Sequence, residues 1–77
     1  MKTTEYFRYV RLRSDRVRIL DEWIIMAIEN PIREEIQSDS RIRRWAFIEA
    51  EAKYLRVILL DDGETVHNAF FDRGFQP

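Results

Sequence analysis

The sequence predicts an α+β domain, with one main amino-terminal helix packed on a four-stranded antiparallel sheet. Three observations carry that expectation. Val17, Leu20, Ile24, Ala27 and Ile28 recur at helical spacing, with Trp23 flanking the stripe. After Asn30-Pro31 the pattern changes to short runs rich in apolar and β-branched residues, the signature of strands. Asp62-Gly63 separates two of those runs, and glycine tolerates the positive φ that a tight hairpin demands.

Taken in order, residues 5–12, Glu-Tyr-Phe-Arg-Tyr-Val-Arg-Leu, read as an extended segment or an extra amino-terminal edge strand. Ser14 before Asp15-Arg16-Val17 is a fitting N-cap with an acidic first turn, so the helix is expected over 14–29. Asn30-Pro31 ends it, because the residue before a proline resists helical geometry and Pro31 has no N–H to donate. Strands are expected over 32–37, 42–48, 54–60 and 65–71, with a turn at Ser38-Asp39-Ser40. The tail, Arg73 to Pro77, is expected to be loose, leaving a single domain with its core over about residues 6–73.

A two-residue Asp62-Gly63 loop would set Leu60 opposite Thr65, Ile58 opposite His67, Arg56 opposite Ala69 and Tyr54 opposite Phe71. Leu55, Val57, Leu59, Val66 and Phe70 then share the other face, joined by Ile42, Ala46 and Ile48 and interrupted by Asn68. That face is the cleaner apolar surface and should receive the helix. The opposite face would carry Arg43, Trp45, Phe47, Tyr54, Arg56, Ile58, Leu60, His67 and Phe71, and one helix cannot cover both sides. Either the amino-terminal segment folds across it or another chain does, which opens the prospect of a homodimer through the sheet face.

Composition narrows the classes. Seventy-seven residues sit near the lower limit for an unassisted core, and with no cysteine there are no disulfides and no thiolate ligands. No apolar run follows Met1 as a signal peptide would need, and Trp23 to Ile28 is far too short to span a bilayer. A cytoplasmic protein with no membrane partner is expected. A net charge of −1 argues against nucleic-acid binding driven by bulk charge. The basic residues are nearly all arginine and cluster at Arg8 to Arg18 and Arg41 to Arg44. Ordinary pairing with nearby carboxylates explains much of that, but arginine also offers a planar fork suited to phosphate.

One histidine and scattered carboxylates form no metal set of recognisable spacing, and no Gly-rich phosphate loop is present, so no metal or cofactor is expected. The serines lack a histidine partner in sequence context, and Asp61-Asp62 reads as turn chemistry. What remains is the basic and aromatic cluster on the second sheet face. Metal-independent RNA cleavage needs a base for the 2′-hydroxyl, donors for the scissile phosphate and an acid for the leaving oxygen. His67 suits either proton-transfer role. Arg43 and Arg56 suit the phosphate, while Trp45, Tyr54 and Arg41 suit RNA binding through stacking and charge. The plainer alternative makes His67 one cross-strand neighbour among several, with the arginines balancing Glu34 and Glu49.

The order of elements can be compared with known families. A helix ending in Asn30-Pro31 is followed by an acidic strand, Gln37-x-Asp39-x-Arg41, Arg43-x-Trp45, Leu55-Arg56-Val57 and a last Val66-His67-Asn68-Ala69-Phe70-Phe71-Asp72. Over residues 9 to 73 this resembles a small bacterial family related to the RelE- and BrnT-type toxins of toxin–antitoxin systems. The resemblance implies a RelE-like α+β fold, messenger-RNA cleavage and neutralisation by a cognate antitoxin. It places Arg43, Arg56 and His67 at sheet positions where such toxins use basic and imidazole groups. The alternative expectation is a non-catalytic module that binds another protein, or itself, through the sheet face.

Overall fold

A computed structural model gives the positions of residues 1–77. Two helices, α1 (Glu5–Val10) and α2 (Asp21–Glu29), precede four strands, β1 (Arg33–Ile36), β2 (Ile42–Ile48), β3 (Lys53–Leu59) and β4 (Val66–Phe71). A short 3-10 turn, Glu49–Glu51, joins β2 to β3. The strands form one antiparallel sheet in the order β1-β2-β3-β4, so an α+β fold with a four-stranded antiparallel sheet is what the chain adopts. No helix is long and apolar enough to cross a membrane.

Both helices pack on the same side of the sheet. Phe7 of α1 and Ile24 and Ala27 of α2 join Ile42, Ala46, Ile48, Leu55, Val57, Leu59, Val66 and Ala69 in a single buried cluster. Each fully buried Leu, Ile or Val there contributes about 1.5–3 kcal/mol relative to exposure. Arg44, which shares this face, reaches the end of α2, donating through Nη1 to the Ile28 carbonyl (3.0 Å) and through Nε to Glu34 (2.9 Å). A cation placed there satisfies a carbonyl that the last helical turn leaves unpaired.

The amino-terminal third differs from its expected form. Residues 5–10 are helix, not strand, and α2 begins at Asp21 instead of Ser14. Thr4 caps α1 by accepting from the Phe7 N–H (3.0 Å), and Phe7 and Val10, one turn apart, are its buried residues. The extended piece is shorter and earlier: Thr3 bridges Val66 in parallel, with Thr4 N–H donating to the Val66 carbonyl and Val66 N–H to that of Lys2. Residues 11–20 are turns that bury Ile19 (6% exposed) and leave Val17 out (59%). A continuous helix over 14–29 would carry the chain straight past the sheet. Breaking it lets Phe7 and Ile19 reach the core that α2 alone is too narrow to fill.

The second difference lies in β4. The hairpin starts as expected, with Leu60 N–H donating to the Thr65 carbonyl and Leu59 paired to Val66. A bulge then intervenes, and Ile58 pairs with Asn68, Val57 with Ala69, Arg56 with Phe70 and Leu55 with Phe71. His67 is the extra residue, and everything beyond it is one step out of the expected register. Strict alternation would have buried Asn68 in an apolar layer and pushed Phe71 into solvent. Burying an amide without partners costs about 1–3 kcal/mol. With the bulge, Asn68 turns outward, Ala69 is buried, and Phe71 packs against Trp23 of α2 at 6.2 Å between ring centroids.

Gly63 takes φ +70° at the hairpin tip, as its position predicts. Beside it the Asp62 carboxylate accepts from the Thr65 hydroxyl and the N–H groups of Glu64 and Thr65. The Thr65 side-chain bond, then the backbone bonds, lower its pKa from 3.8 to about 2. A depressed carboxylate stabilises the fold above its unfolded pKa, and that contribution is lost as pH falls through the folded value. Melts of the wild type should therefore lose stability as pH falls from about 4 toward 2, and Asp62→Asn should flatten that part of the profile.

Candidate nucleic-acid interface

The face opposite the helices carries the side chains singled out from the sequence, and the structure divides them into two groups. The first is His67 on β4, beside α1, with Arg41 and Arg43 two strands away at β2. The bulge leaves its ring free of the regular pleat, stacked on Tyr6 of α1 (4.9 Å between centroids, 23° between planes). Its Nδ1 shares a hydrogen bond with the Thr4 hydroxyl (3.2 Å), the same oxygen that caps α1. Nε2 has no protein partner. One nitrogen fixed and one free is the arrangement a proton-transfer group requires. Partial burial, and after it the charge of Arg41, lower the His67 pKa below 6.5, while Asp39 acts weakly in the opposite sense.

Arg41 stands at the start of β2 beside Asp39 (3.8 Å), whose carboxylate also accepts from the Arg41 N–H and from Gln37. Arg43 lies one pleat further along, opposite Ile58, which in turn faces Asn68. Its Nε donates to Gln37 (3.1 Å), and Glu35 is 3.8 Å from Nη1. Both guanidinium groups keep partly exposed donors.

The second group surrounds Asp72. One carboxylate oxygen accepts from Trp45 Nε1 (2.9 Å), Arg56 Nε (2.9 Å) and Arg56 Nη2 (2.6 Å). The Arg56 guanidinium lies between the rings of Trp45 (5.4 Å) and Phe70 (5.0 Å). Burial alone would raise the Asp72 pKa, but the bonds from Trp45 and Arg56 and the Arg56 charge outweigh it, and the net shift is downward. The tail expected to be loose lies across this group. Phe75 stacks on Trp45 (4.8 Å, 20°) and tilts against Tyr54 (5.0 Å), and Arg33 spans its ring and donates to the Gln76 carbonyl. An apolar face with an aromatic residue near the chain end is physical reason enough for that closure. It leaves Trp45 3% exposed.

No protein-family model, no curated protein and no solved structure matches the chain.

Geometry therefore assigns different work to the six candidates. His67, Arg41 and Arg43 stand on the open part of the face. Arg56 is held by Asp72, and a phosphate would have to displace that carboxylate to reach it. Trp45 has one ring face under Phe75, and Tyr54 sits between Phe75 and Phe47 (5.0 Å). No three His, Cys, Asp or Glu side chains converge as a metal ion would need. Thr4 and Tyr6, which fix the imidazole, were hidden by reading residues 5–12 as a strand. Thr4-Glu5 ahead of a Phe7/Val10 pair was the signal for a capped helix.

Two outcomes follow from these contacts. Asp72→Asn should destabilise the fold by about 2–3 kcal/mol, because Arg56 keeps its burial and loses its anion; urea unfolding measures this. The His67 ring should titrate with a midpoint below 6.5 by proton NMR, and Thr4→Val together with Tyr6→Ala should return it toward that value as the ring becomes wetter.

Proposed function

We propose that the chain is a toxin-related RNA endonuclease of a toxin–antitoxin module, acting in the cytoplasm by a metal-independent, imidazole-based mechanism. The observation that carries this reading is the His67 ring, with Nδ1 bonded to Thr4, Nε2 free, its charge-neutral form favoured, and Arg41 close enough to act on its pKa. The element order, two helices and then a four-stranded antiparallel meander, supports the RelE-like and BrnT-like resemblance.

On this reading neutral His67 takes the proton of the 2′-hydroxyl at Nε2. The 2′-oxygen bonds to phosphorus, the bond to the 5′-oxygen breaks, and that oxygen takes a proton from the imidazolium or from water. The products are a 2′,3′-cyclic phosphate and a free 5′-hydroxyl. Arg41 and Arg43 face the phosphate and stabilise the charge that grows on it. Arg56 acts at one remove, by holding Asp72 and Trp45 in place.

A second reading, a non-catalytic module that binds another protein, is favoured by one feature of the sheet. β2 outruns β1, whose last bond is Ile32 N–H to the Trp45 carbonyl, so Ala46–Ile48 lie on an open edge. Trp23, Met26, Ile32 and Phe47 line an apolar groove of about 560 Å³ beside it. An antitoxin strand or a second copy laid against β2 would continue the ladder there. Light scattering across a concentration series tests the second copy, and a strict monomer removes it.

Expression without a partner tests the main reading. Growth should stop on induction and recover with His67→Ala. Purified protein should cleave RNA in the presence of EDTA, with His67→Ala about 10²–10⁴-fold slower. Undisturbed growth at high yield, together with intact RNA in the assay, would sink it.

A further inference from the structure

We infer that the cleft between the 14–19 connection and the ends of β3 and β4 is a phosphodiester site, holding single-stranded RNA backbone beyond the residue cleaved at His67. This rests on the RNA reading above and deepens it by naming a second stretch of contact. The cleft measures about 440 Å³, and Arg16, Arg18, Lys53 and Arg73 line it.

The argument begins with where the cations of this chain find their partners. Of thirteen Lys and Arg side chains, eight lie within ion-pair distance of a carboxylate. Five do not: Arg8, Arg18, Arg33, Lys53 and Arg73. Arg8 donates to the Thr3 carbonyl and hydroxyl, and Arg33 to the Gln76 carbonyl. That leaves Arg18, Lys53 and Arg73 with no acceptor at all, and all three line the same cleft. Their sequence positions are far apart, so the coincidence is made by the fold.

Two carboxylates share the rim. Asp15 is already engaged by Arg13 (3.2 Å) and Arg16 (3.4 Å), and Glu51 is the other. Four cations against two anions give a local surplus in a chain whose net charge is −1. Such a surplus survives screening, since the Debye length is about 8 Å at physiological salt.

The aromatic floor decides which part of a nucleic acid fits. Arg16 (5.3 Å) and Arg56 (5.0 Å) lie over the Phe70 ring, and Lys53 (5.4 Å) over Phe71. With those ring faces occupied by cations, the cleft offers charge and little stacking surface. It suits phosphates, which position a strand, more than bases, which specify it. Continuity favours RNA over an acidic polypeptide. β4 carries His67 at one end and Phe70 and Phe71 at the other, roughly 10–13 Å apart at strand rise, a span that a few nucleotides of extended backbone cover.

The experiment uses the full chain and a fluorescent mixed-sequence oligoribonucleotide of about a dozen residues, methylated at every 2′-oxygen so that it binds without being cut. Arg18→Gln, Lys53→Gln and Arg73→Gln should each weaken binding roughly three- to tenfold and lower the salt slope of log K by about 0.7. All three side chains are exposed, so the fold should tolerate each change. Lys2→Gln, outside the cleft and paired with Glu64, should leave the slope unchanged. His67→Ala should bind the methylated strand as tightly as wild type while failing to cleave the same sequence without methylation, which separates this site from the catalytic reading. A triple variant that binds with wild-type affinity and slope would overturn the inference. So would polyglutamate displacing the oligonucleotide as well as RNA of equal charge does, because the cleft would then be a seat for an acidic polypeptide.

Discussion

The bulge at His67 is the constraint on which the two faces of the sheet depend, because a single unpaired residue inverts the facing of everything after it in β4. Behind the bulge, Ala69 and Phe71 close the core against α2. In front of it, Asn68 and Phe70 stand on the open side, where Arg16 donates to the Asn68 side chain (2.7 Å) and lies over the Phe70 ring. The same irregularity frees the imidazole from a cross-strand partner and turns it toward Thr4 and Tyr6. A perfectly regular strand would bury an amide, expose a phenyl ring and place His67 against Ile58. The core and the candidate site are thus two consequences of one extra residue.

Closure of the lower half of the open face comes from the carboxylate of Asp72. It gathers donors from β2 and β3, and its other oxygen accepts the Gly74 N–H (3.1 Å), which starts the turn that brings Phe75 over Trp45. A chain this short cannot spare a large aromatic surface to water, and here the last residues cover it without a second layer of helices. Arg56 is part of that closure. Its charge, largely withdrawn from solvent, is balanced by Asp72 and flanked by two rings, so its contribution is to hold the face together more than to meet a ligand.

How much of this was legible depends on what kind of signal each element carries. The four strands and the end of α2 rest on local chemistry, Asn30-Pro31 and Asp62-Gly63 above all, and they appear within a residue or so of their expected bounds. The register beyond Val66 does not rest on local chemistry. Its only trace in the sequence is Asn68 at an apolar position, an inconsistency that the bulge resolves. Residues 5–12 look like a strand because aromatic and β-branched side chains favour strands in general, and residues 14–20 look helical from the spacing of Val17 and Leu20, while tertiary packing of Phe7, Val10 and Ile19 decides here. The facing of Arg41 and Arg43 follows from strand alternation, whereas that of His67 depends on the bulge and the Asp72 cluster on a tail whose path no periodicity encodes.

Charge makes the last connection between fold and function. A net value of −1 describes the chain seen from far away, yet a ligand at the surface responds to groups within about a Debye length. Acidic residues are spent on particular cations: Glu34 on Arg44, Asp21 on Arg11, Asp15 on Arg13 and Arg16, and Asp72 on Arg56. Most of the positive charge in the amino-terminal connection and in β2 is neutralised this way and serves packing. The cations without acceptors collect at the foot of β4, and the imidazole, its pKa lowered first by burial, stands at its head. Bulk charge argues against RNA binding, and the proposed RNA reading rests on the distribution of pairs instead. Folding consumes the arginines that a sequence motif would flag first, so the side chains left over for a ligand are ones that only the fold identifies.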